Sequence, residues 1–182
     1  MDYGVLTDAR YMLMAVDGAI SGLQKHDATY GGQVGSILIG PEGNIISQAH
    51  NDLLGGIRKH AEEVVLEMAK GADLSDATLY VTMEPCNGNP YHERRHCCKQ
   101  IADAGVGRIV IGAPKIVYEG GADYMKEQGI QVDFLESGDL GNLCRLLIAN
   151  KESGAGLSKR VVRKILNTRD QIGKLSWADG LQ

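Results

Sequence analysis

A chain of 182 residues with 43% apolar content is long enough for one domain with a proper core and too short for two ordinary ones. Its net charge of −4 argues against general attraction to nucleic-acid phosphates, which needs clustered Lys and Arg, and favours a small diffusible substrate as partner. No apolar run approaches the roughly 20 residues that span a bilayer, Asp2 and Asp8 stand where a basic signal head would be, and four cysteines, two of them adjacent, make no disulfide framework, so the cytosol is the expected setting.

Asp8 is placed to cap a first helix in which Met12, Leu13, Val16, Ile20 and Leu23 recur at three- and four-residue steps and give one apolar face. Val34 to Ile39 and Asn44 to Ser47 flank the turn Gly40-Pro41-Glu42-Gly43 as two short strands of a hairpin. Lys59 to Lys70 reads as a helix stopped by Gly71, with Val64, Val65 and Met68 on its inner face and His60 pointing inward at its start. Ala77 to Met83 is a β-rich strand that Pro85 halts, leaving Cys86 at its end. A loop from Asn87 to Arg95 leads into a helix reaching Gly105. Then come a strand at Arg108 to Gly112, a helix at Ala122 to Gln128, a strand at Ile130 to Phe134 and a packed helix at Leu140 to Ala149. Strands alternating with helices predict an α/β domain over residues 1–150, its mixed sheet covered on both faces.

Residues 151–182 form a basic tail. From Ser158 to Lys174, Lys159, Arg160, Arg163, Lys164, Arg169 and Lys174 interleave with Val161, Val162, Ile165, Leu166 and Ile172 in the manner of an amphipathic helix. Such a helix either contacts phosphate, RNA or a partner chain, or lays its apolar stripe on the domain or a neighbouring subunit.

The chemistry concentrates in His60-Ala61-Glu62, Pro85-Cys86 and the pair Cys97-Cys98. Imidazole and thiolates suit zinc, and a catalytic zinc takes three protein ligands and lowers the pKa of its water to about 7. Glu62, two residues from His60, is placed to handle that proton without occupying the metal, whereas Glu63 reads as an ordinary surface acid. With His60 near one helix N-terminus and the second cysteine near another, two helix dipoles favour thiolate. Cys144 reads as a plain core residue. Arg94 and Arg95, just ahead of the helix that carries the second cysteine, offer a bidentate clamp for a substrate phosphate, and His92 in the same loop is a candidate contact to ribose or base.

The pattern His-x-Glu, then Pro-Cys, then a second cysteine resembles the zinc-dependent cytidine deaminase-like superfamily, from roughly Met1 to Ile148. The resemblance implies a three-layer α-β-α sandwich with a mixed five-stranded sheet, a Zn2+ cofactor, and hydrolytic release of ammonia with Glu62 as proton shuttle. In the family the second cysteine opens a C-x-x-x-I-x-x-x-G pattern; Cys97, Ile101 and Gly105 match it, so the implied ligands are His60, Cys86 and Cys97, with Cys98 packed to one side. Ten residues, Asn87 through His96, separate the two cysteines, where most of the superfamily has a shorter spacer. That loop, the strand running into Cys86, and the segment Gly129-Ile130-Gln131-Val132 followed by Cys144-Arg145 resemble the riboflavin-pathway pyrimidine deaminases. The implied substrate is an aminopyrimidine nucleotide or nucleoside. Gly31-Gly32-Gln33-Val34-Gly35 departs from that subgroup's Pro-Asn-Pro-x-Val-Gly.

His50-Asn51 stands where cytosine and tRNA adenosine deaminases have a base-reading asparagine. Asn51 can offer a ring both a donor and an acceptor, or it can shape the turn after the second strand. A cytosine, cytidine or guanine-type deaminase, a tRNA adenosine deaminase using the basic tail, and a non-catalytic zinc protein serving assembly or RNA binding are the alternative readings. The family commonly associates, so a homo-oligomer is expected.

Overall fold

The computed structural model describes residues 3–25, 33–54, 57–88, 96–115, 120–135, 138–148 and 159–178. The chain begins with α1 (Tyr3–Lys25), followed by the hairpin β1 (Gly35–Ile39) and β2 (Ile45–His50). A small second hairpin, β3 (Asp52–Leu54) and β4 (Ile57–Lys59), precedes α2 (Ala61–Met68). Then β5 (Thr78–Val81), α3 (Cys97–Asp103), β6 (Arg108–Ile111), α4 (Ala122–Glu127), β7 (Gln131–Phe134), α5 (Asp139–Ile148) and α6 (Lys159–Ala178) complete the order.

The main sheet has five strands in the order β2-β1-β5-β6-β7. β1 is antiparallel to both of its neighbours, whereas β5, β6 and β7 run parallel, each linked to the next through a helix. This is the mixed five-stranded sheet expected from the alternation of elements. α1 packs on β1, β2 and β5, with α5 against α1; α2 packs on β1 and β2, with α3 against α2 and α4 against α3. Every residue of β1 is buried, as a strand covered on both faces must be. Met12, Val16, Ile37, Leu79, Ile109 and Leu147 carry the core across these layers. Gly35 lets α1 lie directly on β1, since a Cβ there would come within 1.8 Å of the Ala15 carbonyl oxygen.

Two local expectations are corrected. The second helix begins at Ala61 and not at Lys59, because Ile57 to Lys59 pair with Asp52 to Leu54 as a ladder. Asp8 lies inside α1 and does not cap it. Its carboxylate instead accepts two hydrogen bonds from Arg108, at 2.9 and 2.7 Å, and one from the Tyr80 hydroxyl at 2.7 Å. Arg108 also donates to Asp133 at 2.8 Å, so one guanidinium ties α1 to β6 and β7, while Tyr80 brings β5 to the same carboxylate.

Within the basic tail, α6 is helical and folds back. Ile165 of α6 is fully buried, and Arg169 forms a two-pronged pair with Asp17 of α1, both bonds 2.7 Å long. Arg160, Arg163, Lys164 and Lys174 face solvent. Among the described residues no helix is long and apolar enough to cross a membrane.

The sheet's polarity decides where chemistry can sit. Because β1 is antiparallel to β5, the start of β1 and the end of β5 share one edge: Ser36 lies beside Val81, and Thr82 N–H donates to the Gly35 carbonyl at 3.0 Å. His50, at the end of β2, pairs with Gly35. The edge that delivers Cys86 therefore also carries His50 and Asn51.

Burial alone would raise the Asp8 carboxyl, but the bonds from Arg108 and Tyr80 outweigh it and hold the group below its ordinary value of 3.8. A depressed carboxyl stabilises the fold above that value and loses the contribution as pH falls through the native one. Asp8→Asn is expected to cost about 1–2 kcal/mol at pH 7. In urea denaturation of both proteins with metal stripped, the gap should shrink as the solution is taken to pH 3. A gap undiminished in acid would contradict this role.

Candidate metal centre

Three segments meet at this edge. His60 occupies the position just before α2, with extended backbone angles (φ −77°, ψ 156°), and its N–H donates to the Glu63 carboxylate at 2.7 Å. Glu63, expected as a plain surface acid, is half-buried and fastens the helix start that presents the imidazole. Cys86 follows β5 through Glu84 and Pro85 and forms an isolated β-bridge with Gly120. Cys97 is the first residue of α3 and is fully buried. Cys98 N–H donates to the Cys86 carbonyl at 3.2 Å, which clips the start of α3 to the end of the strand segment.

His60 Nδ1 lies 3.2 Å from Cys97 Sγ and 3.7 Å from Cys86 Sγ. All three ligand atoms fall within 4.8 Å of one another, and they form a three-membered group among the described residues. A tetrahedral zinc with bonds of about 2.3 Å to sulfur and about 2.0 Å to nitrogen sets its ligand atoms roughly 3.5 to 3.8 Å apart. The donor set and its spacing fit that ion. Both helix N-termini, of α2 and α3, are turned toward the group, as the motif spacing implied.

Glu62, second residue of α2, is 3% exposed. Its charge reaches Cys97. The two sulfurs are joined by a hydrogen bond, the Cys97 thiol donating to Cys86, which holds the Cys86 thiol well below its ordinary range against its burial, with help from His60. Cys97 is pushed well above 9.0 by the same hydrogen bond, by burial and by the negative charge of Glu62.

The adjacent Cys98 turns elsewhere, its Sγ donating to Asn87 Oδ1 at 3.3 Å, and burial followed by the charge on Cys86 raises it to about 11. Cys144 is a core residue in α5, packed so closely on Gly112 that a Cβ there would come within 2.5 Å of its sulfur. Burial lifts its thiol to about 12.

Asn51 is buried at the same sheet edge. Its Oδ1 accepts the Val34 N–H at 2.7 Å, and its own N–H donates to the Val34 carbonyl at 3.1 Å, so it shapes the turn and keeps its amide NH2 as a donor. His92, Arg94 and Arg95 lie outside the described residues. Two residues went unassigned from sequence. His50, half-buried, has Nδ1 3.0 Å from the Asn51 carbonyl, a contact that puts the ring proton on Nδ1 because a carbonyl only accepts. Glu84 is buried, and its carboxylate accepts N–H groups from Lys115 at 3.0 Å and from Ala122 at 3.1 Å. Its position directly before Pro85-Cys86 was the available signal.

Comparison with known proteins follows the same lines. The chain is 35% identical over 101 residues to riboflavin biosynthesis protein RibD of Mycobacterium tuberculosis, which covers 54% of this chain and 28% of the relative. This chain thus spans less than a third of that protein's length. It is 30% identical over 131 residues to diaminohydroxyphosphoribosylamino-pyrimidine deaminase of Buchnera aphidicola from Acyrthosiphon pisum, covering 70% of this chain and 83% of the relative. Among solved structures, a diaminohydroxyphosphoribosylaminopyrimidine deaminase/5-amino-6-(5-phosphoribosylamino)uracil reductase from Thermotoga maritima superposes with a TM-score of 0.65 at 28% identity, over 81% of this chain and 42% of that one. The family described as "Cytidine and deoxycytidylate deaminase zinc-binding region" matches residues 7–113, a span that contains His60, Glu62, Cys86 and Cys97. The chain belongs to that zinc-binding deaminase family.

Proposed function

We propose that this protein is a zinc-dependent hydrolytic deaminase of an aminopyrimidine nucleotide or nucleoside, with His60, Cys86 and Cys97 as metal ligands and Glu62 as the proton carrier. The observation that carries the reading is the convergence of one imidazole nitrogen and two sulfurs beside a buried carboxylate. Zinc bound there supplies a water molecule ionised near neutral pH. Glu62 accepts a proton as water adds to the amino-bearing carbon and passes it to the ring nitrogen, then takes the proton of the new hydroxyl and delivers it to the departing amine. The C–N bond breaks, ammonia leaves and a carbonyl remains. A purely structural zinc site takes a fourth ligand from protein and has no use for an adjacent acid, so the buried Glu62 speaks for catalysis.

The aminopyrimidine assignment is supported by the likeness to the Buchnera deaminase and by the long segment between the cysteines. Arg94 and Arg95 are proposed to hold a substrate phosphate and His92 to meet ribose or base. Residues 1–150 are proposed to carry the catalysis, with α6 accessory to it, and assembly into a homo-oligomer belongs to the same proposal. Asn51 favours a second reading, a cytosine, cytidine or guanine-type or tRNA adenosine deaminase, because its amide donor stands at the sheet edge that carries Cys86.

Cys97→Ser is expected to lose zinc and Cys98→Ser to keep it, read by metal analysis of the purified variants; full zinc in Cys97→Ser would overturn the ligand assignment. Ammonia release should be assayed against a diaminopyrimidinone ribosyl phosphate, cytosine, cytidine, dCMP, guanine and tRNA. Turnover of the first is expected, and reaction of tRNA alone would reject the substrate class. Glu62→Gln should retain zinc while kcat falls by about 100-fold or more. Undiminished kcat would remove Glu62 from the mechanism.

A further inference from the structure

We infer that Glu84 is a positioning residue for the metal centre, holding Cys86 in place by tying residues 113–115 and 120–122 behind it. The inference rests on the reading of Cys86 as a zinc ligand and deepens it, because it gives a task to a carboxylate outside the ligand set.

Glu84 is 7% exposed and reaches both of these stretches. Oε2 accepts the Lys115 N–H at 3.0 Å, Oε1 accepts the Ala122 N–H at 3.1 Å, and the Glu84 N–H itself donates to the Ala113 carbonyl at 2.9 Å. The chain leaving β6 and the chain entering α4 are thereby drawn to one side chain. Between them sit the residues that touch the ligand loop. Gly120 bridges Cys86, and Gly121 N–H donates to the Pro85 carbonyl at 2.9 Å. On the opposite side the Cys98 N–H holds the Cys86 carbonyl at 3.2 Å. Cys86 is therefore clamped between the 120–121 pair and the start of α3, and Glu84 fastens the outer jaw.

Two glycines show how closely the jaw fits. A Cβ on Gly120 would lie 1.9 Å from Glu84 Oε1, and one on Gly121 would lie 2.4 Å from the Cys98 Cβ. The carboxylate is also the group the task needs. Two backbone N–H donors require two acceptors, and hydrogen bonds to a charged acceptor are roughly twice as strong as neutral ones. Glutamine replaces one of the two acceptor oxygens with an NH2 donor, so it can keep only one of the two bonds in this geometry. Outer partners that orient metal ligands typically alter metal affinity by about 10- to 100-fold when removed.

The test uses cobalt(II) in place of zinc, because thiolate-to-cobalt absorption counts sulfurs on the metal independently of activity. Wild type, Glu84→Ala, Glu84→Gln and Gly120→Ala are titrated with cobalt, competed with a chelator, and melted with metal stripped. Glu84→Ala should show a thiolate band reduced toward half per bound cobalt and affinity weakened about 10-fold or more. Glu84→Gln should lie between it and wild type. Gly120→Ala, which leaves every ligand intact, should repeat the defect. A folded Glu84→Gln or Gly120→Ala with the wild-type band and affinity within about twofold overturns the inference, even if its melting temperature falls; a Glu84→Ala protein that does not fold leaves the decision to these two. Should wild type itself show no thiolate band, the ligand assignment fails first and takes the inference with it.

Discussion

Cys86, Cys97 and Glu62 bring three acidic groups close together, with the two sulfurs and an imidazole nitrogen within 4.8 Å of one another and the charge of Glu62, only 3% exposed, acting on Cys97. Buried negative charge is costly without a partner, so the sulfurs can relieve it either by keeping a proton or by sharing a cation. The opposite shifts of Cys86 and Cys97 express the first choice, and zinc supplies the second. Hard carboxylates would invite calcium or magnesium; this mixture of sulfur and imidazole does not.

The sheet supplies the address. The chain delivers Cys86 beyond β5 to the edge where β1 starts and β2 ends, because β1 is antiparallel to β5. His60, just ahead of α2, and Cys97, first in α3, then come to the same place, so helix beginnings and a strand ending form the site together. α1 is held by different means: Arg108 joins it to β6 and β7, Tyr80 of β5 shares the Asp8 carboxylate, and Arg169 joins α6 to α1. Stability and chemistry thus draw on separate networks.

Much of this could be read from the chain because periodicity and spacing are local. Met12, Val16 and Ile20 mark the buried stripe of α1, and the three ligand candidates identify themselves by residue type. What escaped was decided by partners distant in sequence. Asp8 looks like a cap until Arg108, a hundred residues away, is seen to claim it. Glu63 is the local exception: its partner is the His60 N–H three residues away, obscured because histidine is not one of the usual capping residues. Glu84 gains its meaning only when Lys115 and Ala122 are folded against it. The ladder of β3 with β4 was hidden by the helix-like pattern that follows Lys59.

Zinc-edge X-ray absorption on the purified, zinc-loaded protein tests the central claim most directly, since it reads the ligand atoms themselves. The account predicts two sulfurs at about 2.3 Å and two lighter atoms at about 2.0 to 2.2 Å, one of them imidazole nitrogen. A shell of three or four sulfurs, or one with none, would contradict it.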